Sequence, residues 1–243
     1  MDLSTFRALT FDVYGTLIDW ESGMLAELRP WAARHGVVVD NDGLLNAFAA
    51  IELRWETEHP TLLYADLLGE VHQDLARHYG VPVEREAARA FGQSILRWPA
   101  FDDSAAALAI LQRYYRLCIL SNVDNRSLAS TLPRLTVRFD AIYTAQDIGS
   151  YKPALRNFTH ALDRLAADGI GQGELLHVGQ SLLHDHEPAA QLHIASCWID
   201  RRAGRANQGA VMPVTAMPLV AFRFDSLSAF ASAVQQAFDA TTR

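Results

Sequence analysis

Short apolar runs of strand length recur along this chain, at residues 8–13, 117–121, 141–144, 175–178, 195–199 and 220–224. Segments with helical periodicity separate most of them, at 104–114, 153–167, 182–192 and 226–238. That alternation predicts an α/β fold built on a doubly wound parallel sheet. The first run carries a single carboxylate, Asp12, to its end, and a Gly15-Thr16 turn follows. A buried strand has no structural use for an aspartate, because an unpaired charge there is costly or shifts its pKa to escape. The carboxyl end of a parallel strand is, however, where open α/β sheets place ligands and chemistry. Asp12 is therefore either a capping group for the turn or a nucleophile, and the strand-end position favours the nucleophile.

Between residues 17 and 99 about eighty residues pass with no convincing strand. Helical periods run instead through 44–55, 62–78 and 84–96. Structureless loops of that length are rare in compact domains, so the segment is expected to be a helical insertion, a lid over Asp12. Pro99 marks the return to the core, with Asp102 and Asp103 as candidate helix N-caps. The expected division is a core domain of residues 1–17 and 99–243 and a helical cap domain of residues 18–98. Gly15 and Gly23 flank a candidate hinge.

The composition limits what the chain can do. With 243 residues, half of them apolar and a fifth charged, this is a globular protein with room for one large domain or a core with an insertion. A formal charge of −7 argues against a nucleic-acid partner, since no basic stripe can neutralise phosphates. Arg113, Arg116, Arg201, Arg202 and Arg205 read as solvated ends of helices or strands. Cys118 and Cys197 lie within apolar strand-like runs and are expected to be buried, inert thiols. No apolar stretch approaches the roughly 20 residues of a membrane span, and residues 1–7 do not resemble a signal peptide. A cytoplasmic protein without a membrane partner is the expectation.

Three further segments should converge on the edge of the sheet that holds Asp12. The run at 117–120 ends in Ser121-Asn122; Gly149-Ser150-Tyr151-Lys152-Pro153 precedes a helix that Pro153 is placed to start; and 176–178 leads through Gly179-Gln180-Ser181 to Asp185. Each alone has a plain reading as turn chemistry, surface charge or helix-dipole preference. The ordered set Asp12-x-Tyr14-Gly15-Thr16, Ser121-Asn122, Lys152-Pro153 and Gly179-x-Ser181-x-x-x-Asp185 resembles the four motifs of the haloacid dehalogenase superfamily. The resemblance covers nearly the whole chain, inserted helical cap included.

Within that superfamily, phosphatases are similar around an Asp-x-Asp motif and a Gly-Asp pair, whose second carboxylates protonate the leaving group and help hold Mg²⁺. Those positions here are Tyr14 and Gln180. With so few anionic oxygens, Mg²⁺ lacks the ligands it prefers, so no cofactor or metal is expected. The chain looks like the metal-independent L-2-haloacid dehalogenase branch. The resemblance implies that Asp12 attacks a saturated carbon to form an aspartyl ester, that Lys152 keeps it ionised, and that Thr16 and Ser121 fix its second oxygen or the substrate carboxylate. It further implies that Asn122 cradles a leaving halide, that Asp185 activates water, and that the protein forms a homodimer. Tyr14, Gln180 and Ser181 complete the expected substrate contacts.

Departures from that branch bear on the leaving group. No cap arginine aligns with the halide-gripping one, Arg54 being out of register; the expected tyrosine after the motif lysine is Phe158; the expected asparagine after Ser181 is Leu182. Asp19-Trp20-Glu21 follows the first motif and is expected to face the pocket, where two carboxylates around an aromatic ring suit a cationic substrate. His177, His184, His186 and His193 with Glu187 cluster near Asp185 without a familiar metal spacing, and His177 is expected to point into the sheet. One of these histidines could protonate a poor leaving group. The primary expectation is a hydrolase of small 2-substituted carboxylic acids, most simply an L-2-haloacid dehalogenase. The rivals are C–N ring opening of a small cyclic amino acid such as azetidine-2-carboxylate, a phosphatase, and a non-catalytic binding protein.

Overall fold

In the computed structural model, which describes residues 1–204, 209–210 and 212–241, the apolar runs form β1 (Ala8–Phe11), β2 (Arg116–Ser121), β3 (Ala141–Thr144), β4 (Leu175–Gly179), β5 (Ala195–Ile199) and β6 (Phe222–Phe224). Arg205 lies outside the described residues. All neighbouring strands pair parallel, in the order β3-β2-β1-β4-β5-β6. The central strands β1, β2 and β4 are buried on both faces, and period-two alternation divides their side chains between two clusters. Leu9, Phe11, Leu117 and Ile119 face one, with Leu108 and Phe230; Ala8, Cys118 and Leu120 face the other, with Phe158 and Leu165. Both cysteines are free and buried, and burial raises the Cys118 thiol to about 11.

The strand order reverses at β1, with β2 on one side and β4 on the other. A crevice opens at the carboxyl ends of these three strands, which is where ligands bind in open α/β sheets.

The helices are α1 (Trp20–Arg34), α2 (Asn41–Glu58), α3 (Tyr64–His78), α4 (Arg85–Ser94), α5 (Ser104–Leu111), α6 (Asn125–Leu135), α7 (Ala145–Ile148), α8 (Leu155–Ala167), α9 (Glu187–Gln191) and α10 (Leu227–Thr241). A π-helical turn, Leu182–His186, precedes α9. Among the described residues, no helix is long and apolar enough to cross a membrane.

Helices α1 to α4 form the segment between β1 and α5. The chain leaves and returns through adjacent strands of backbone: Ile18 bridges Ala100 antiparallel, and the Asp19 N–H donates to the Pro99 carbonyl at 2.8 Å.

Several sequence expectations need correction here. Helix α1 covers a stretch for which no helical period was apparent, because Pro30 and Gly23 interrupt its pattern. Gly23 lies inside α1, where a Cβ would collide with the Trp98 ring, so packing requires a glycine there. Helix α8 begins at Leu155, two residues beyond Pro153. Asp103 occupies the N-cap of α5, yet its carboxylate receives the Arg201 guanidinium at 2.9 Å instead of capping. Arg201 and Arg202 are therefore not solvated ends: Arg202 pairs with Glu21 at 2.6 Å, and both side chains are largely buried.

Candidate active site

Asp12 is the first residue past β1, its N–H still donating to the Val178 carbonyl at 2.9 Å. Gly15 follows with φ of 97°, a backbone state that glycine adopts without strain, and turns the chain so that Thr16 comes back over Asp12. The Thr16 hydroxyl donates to Asp12 Oδ2 at 2.7 Å. Lys152 Nζ donates to Asp12 Oδ1 at 3.0 Å and to Asp185 Oδ1 at 2.6 Å. Lys152 is 1% exposed, Asp185 0% and Asp12 7%, so one buried ammonium serves two buried carboxylates.

Burial drives the charge states of this trio. It pushes the Asp12 carboxyl above its ordinary value, with Lys152 opposing and Asp185 reinforcing the shift. Burial would raise Asp185 as well, but Lys152 and His177 more than offset it and hold the carboxyl well below the usual range. Lys152, although buried, is held above its ordinary value by Asp12 and Asp185. Ionised Asp185 is thus the firm counter-charge of Lys152, and Asp12 is the more basic of the two carboxylates.

Asp185 accepts three donors: Lys152, His177 Nε2 at 3.1 Å, and the Ser181 N–H at 3.2 Å. His177 does not merely fill the sheet. It spans from Thr10 Oγ1, 3.0 Å from Nδ1, to Asp185, with the Phe158 ring edge-on at 4.9 Å. Phe158, where a tyrosine was expected, packs this histidine. Gly179 makes room for the arrangement, because a Cβ there would stand 2.5 Å from Asp185 Oδ2. His186 is bonded to Ser196 and the Gly179 carbonyl, and burial lowers it to about 4, so it is neutral. His193 is exposed on a turn away from the site.

A cavity of about 40 Å³ faces Asp12 and Lys152, walled on the core side by Ser121, Asn122, Gln180, Ser181 and His184. The Ser121 hydroxyl is buried there without a hydrogen-bond partner. Asn122 is fully engaged: its Nδ2 donates to the Lys152 carbonyl and to Glu56 Oε1, both at 2.9 Å, and its Oδ1 accepts the Lys152 N–H at 2.6 Å. It anchors the lysine loop and does not present a free amide. Tyr14 lines the cavity with its ring, its hydroxyl bonded to Thr131 at 3.0 Å.

The opposite wall comes from α2 and α3, through Glu52, Glu56 and Tyr64. None of these three was among the residues predicted to form the site. They had a signal, since Glu52 and Glu56 continue the stripe of Leu45, Phe48 and Ala49 onto the buried face of α2. Arg54 points elsewhere and pairs with Asp74. Trp20 also lines the cavity and forms the partition, with Gln180, to a neighbouring cavity of about 360 Å³. Asp19 and Glu21 face that neighbour, not Asp12. Asp19 caps α1 through Ser22, and Glu21 accepts from Arg202 and from the Ala210 N–H at 2.8 Å. The acidic pair expected around Trp20 faces the neighbouring cavity, and the carboxylates that join Asp12 and Asp185 at this one come from α2.

The donor set does not suit Mg²⁺. Lys152 already bridges Asp12 and Asp185, Gln180 offers only an amide, and the Tyr14 hydroxyl is turned away. Among the described residues, no group of three His, Cys, Asp or Glu is arranged to hold a metal ion. A divalent cation would have to displace the ammonium from its only carboxylates.

The haloacid dehalogenase-like hydrolase family model matches residues 6–193. (S)-2-haloacid dehalogenase 4A of Burkholderia cepacia is 27% identical over 187 residues, covering 74% of this chain and 77% of that protein. Haloacid dehalogenase-like hydrolase domain-containing protein 3 of Mus musculus is 28% identical over 196 residues, covering 74% and 76%. Among solved structures, L-2-haloacid dehalogenase from Xanthobacter autotrophicus with chloropropionic acid covalently bound superimposes with a TM-score of 0.77 at 19% identity, covering 95% of this chain and 98% of that one.

Proposed function

The chain belongs to the haloacid dehalogenase-like hydrolases, and from that premise we propose that it hydrolyses a small 2-substituted carboxylic acid through an ester on Asp12, with no metal ion in the step. The observation that carries this reading is the Asp12–Lys152–Asp185 trio at the switch point of the sheet. A nucleophilic carboxylate has to be ionised, fixed in plane and shielded from water. Lys152 and Thr16 hold one oxygen each, and burial supplies the rest.

In the first half-reaction an Asp12 oxygen attacks the substituted carbon in line, and the leaving group departs with its bonding electrons. The orphan Ser121 hydroxyl is free to bind the substrate carboxylate. In the second, water attacks the Asp12 carbonyl carbon, releasing a hydroxy acid and restoring the carboxylate. Asp185 carries three donors and is a weak base, so holding Lys152 fits it better than deprotonating water. His184, buried on the cavity wall with Nε2 3.4 Å from Glu56 Oε2 and its pKa raised by that carboxylate, is the group placed to exchange that proton. The helices α1 to α4 act as a cap that closes over the ester, with the domain boundaries at residues 17 and 99. Halide is the simplest leaving group, supported by the dehalogenase names among the relatives.

The test incubates the protein in EDTA with 2-chloropropionate, azetidine-2-carboxylate or p-nitrophenyl phosphate and measures halide, ring-opened acid and phosphate. Single-turnover reaction in ¹⁸O-water then follows the oxygen. The expected first-turnover product carries unlabelled oxygen from Asp12, with the label entering the Asp12 carboxylate. Phosphate release that requires Mg²⁺, or label entering the product directly, overturns the reading.

A further inference from the structure

We propose that Glu52 and Glu56 form a subsite for a protonated amine, so that the substrate is a small amino acid and not a plain carboxylic acid; this rests on the reading of Asp12 as the reacting group beside it. The two glutamates stand one turn apart on α2 and point the same way. Both are buried, 4% and 5% exposed, and both line the cavity of Asp12. Like charges at this spacing repel even on an open helix surface, and buried charges require a counter-ion.

The protein supplies too few cations. Among the described residues, the cavity is lined by four carboxylates, Asp12, Asp185, Glu52 and Glu56, against one lysine and one histidine. Lys152 is taken by Asp12 and Asp185. His184 Nε2 pairs with Glu56 Oε2 at 3.4 Å, a contact that raises the histidine's pKa without forming a well-aligned hydrogen bond, so this one cation serves Glu56 and none is left for Glu52. Glu56 Oε2 is buried on the cavity wall and has room for a hydrogen-bond donor beside that ion pair. Glu52 binds the Tyr64 hydroxyl through Oε1 at 2.5 Å. Burial, reinforced by Glu56, pushes the Glu52 carboxyl well above its ordinary range.

An ammonium group meets each of these needs. It brings the missing positive charge and several N–H donors for the Glu56 oxygen and the Glu52 carboxylate, with the Trp20 and Tyr64 rings beside it. A plain 2-haloacid monoanion would instead enter a cavity whose carboxylates outnumber its cations. The glutamates thus discriminate by charge along the α2 wall of the cavity.

Binding separates this subsite from the chemistry. Calorimetric titration with unreactive pairs of matched shape, L-proline against tetrahydrofuran-2-carboxylate and L-alanine against L-lactate, reads the ammonium alone. At least one amine is expected to bind about tenfold or more tighter than its oxygen counterpart. Glu52→Gln and Glu56→Gln should each reduce that ratio and together bring it near one. Glutamine keeps an acceptor for the Tyr64 and Asn122 donors, and the melting temperature of each variant checks that the fold is retained. Equal affinities within each pair, no binding by either amine, or a ratio unmoved by the two substitutions overturns the subsite. Failure of the Asp12 reading shows independently, as direct ¹⁸O incorporation into product. Labelling through Asp12 with no amine preference would sink the subsite and leave the ester route standing.

Discussion

Lys152→Met removes the only cation between Asp12 and Asp185 while keeping most of the side-chain volume. Lys152 Nζ lies 3.0 and 2.6 Å from the two carboxylates, and all three groups are almost completely buried. Removing one partner of a buried ion pair leaves an uncompensated charge and costs about 3–5 kcal/mol. Two stranded carboxylates put this site at the upper end, but they have an escape, which is to bind a proton.

That escape gives the prediction a sign. In the wild-type protein the lowered pKa of Asp185 contributes stability that is present above its unfolded value of about 3.9 and is lost only as pH falls through the folded value. Its contribution is therefore constant between about pH 5 and pH 8. Without Lys152 the burial of both carboxylates loses its main opposing charge, Thr16 alone remaining on Asp12 and the histidines on Asp185, and their folded pKa values rise above the unfolded ones. A raised group contributes stability that is fully present below the unfolded pKa and is lost as pH climbs through the folded one. Each pH unit in that interval is worth up to about 1.4 kcal/mol per proton. Lys152→Met should lose about 3–5 kcal/mol at about pH 8 and recover a third or more of it near pH 5.5. Urea denaturation of both proteins at the two pH values measures this, with unchanged m-values as the check that the folded state is comparable. A loss below about 1 kcal/mol at pH 8, or an equal loss at both pH values, would refute the assignment of Lys152 as the counter-charge.

Two further substitutions probe the same site. Thr16→Val removes the 2.7 Å hydrogen bond to Asp12 Oδ2, a bond to a charged acceptor worth about 1.5–3 kcal/mol. Activity should fall on the acid side as Asp12, whose pKa is already raised by burial, becomes protonated. The variant should move that limb of the kcat/KM profile up by about one pH unit or more, and an unmoved limb would deny Asp12 a role as the ionised nucleophile. Gly179→Ala places a Cβ 2.5 Å from Asp185 Oδ2. It should cost about 1–3 kcal/mol in chemical denaturation and lower kcat by displacing Asp185 and hence Lys152, whereas an active, undestabilised variant would show that the carboxylate can move freely.

The sheet was legible because central strands buried on both faces leave unbroken apolar runs, as at β1 and β4, and because even β3, at the edge, and β5 begin and end at the residues where their runs do. The edges blurred where hydrogen bonding outlasts the ladder, as at Asp12, or where an exposed edge strand is short, as at β6. Helix α1 escaped detection for a different reason. Its stability comes from packing Met24, Leu28 and Trp31, and that tertiary term overrides the local penalties of Gly23 and Pro30 that a sequence displays.

The two walls of the cavity differ in legibility because their geometry has different origins. Asp12, Ser121 and Gly179 sit at or just past the ends of adjacent parallel strands, so once the sheet is recognised their convergence follows from topology. Lys152 reaches the same point from a loop and Asp185 from the π-helical turn, and their ion pair joins two buried ionisable residues. Glu52 and Glu56 have no strand end to fix them. Their position depends on which face of α2 turns inward, and Tyr64 and Asn122, distant in sequence, determine where each carboxylate points. A period of four that runs from Leu44 and Phe48 into Glu52 and Glu56 places acid where the core pattern calls for an apolar side chain. Read for departures from an amphipathic stripe and not for the stripe itself, the helix announces its function in the sequence: a carboxylate in register with a buried face is excluded by solvation cost unless a ligand or partner meets it there.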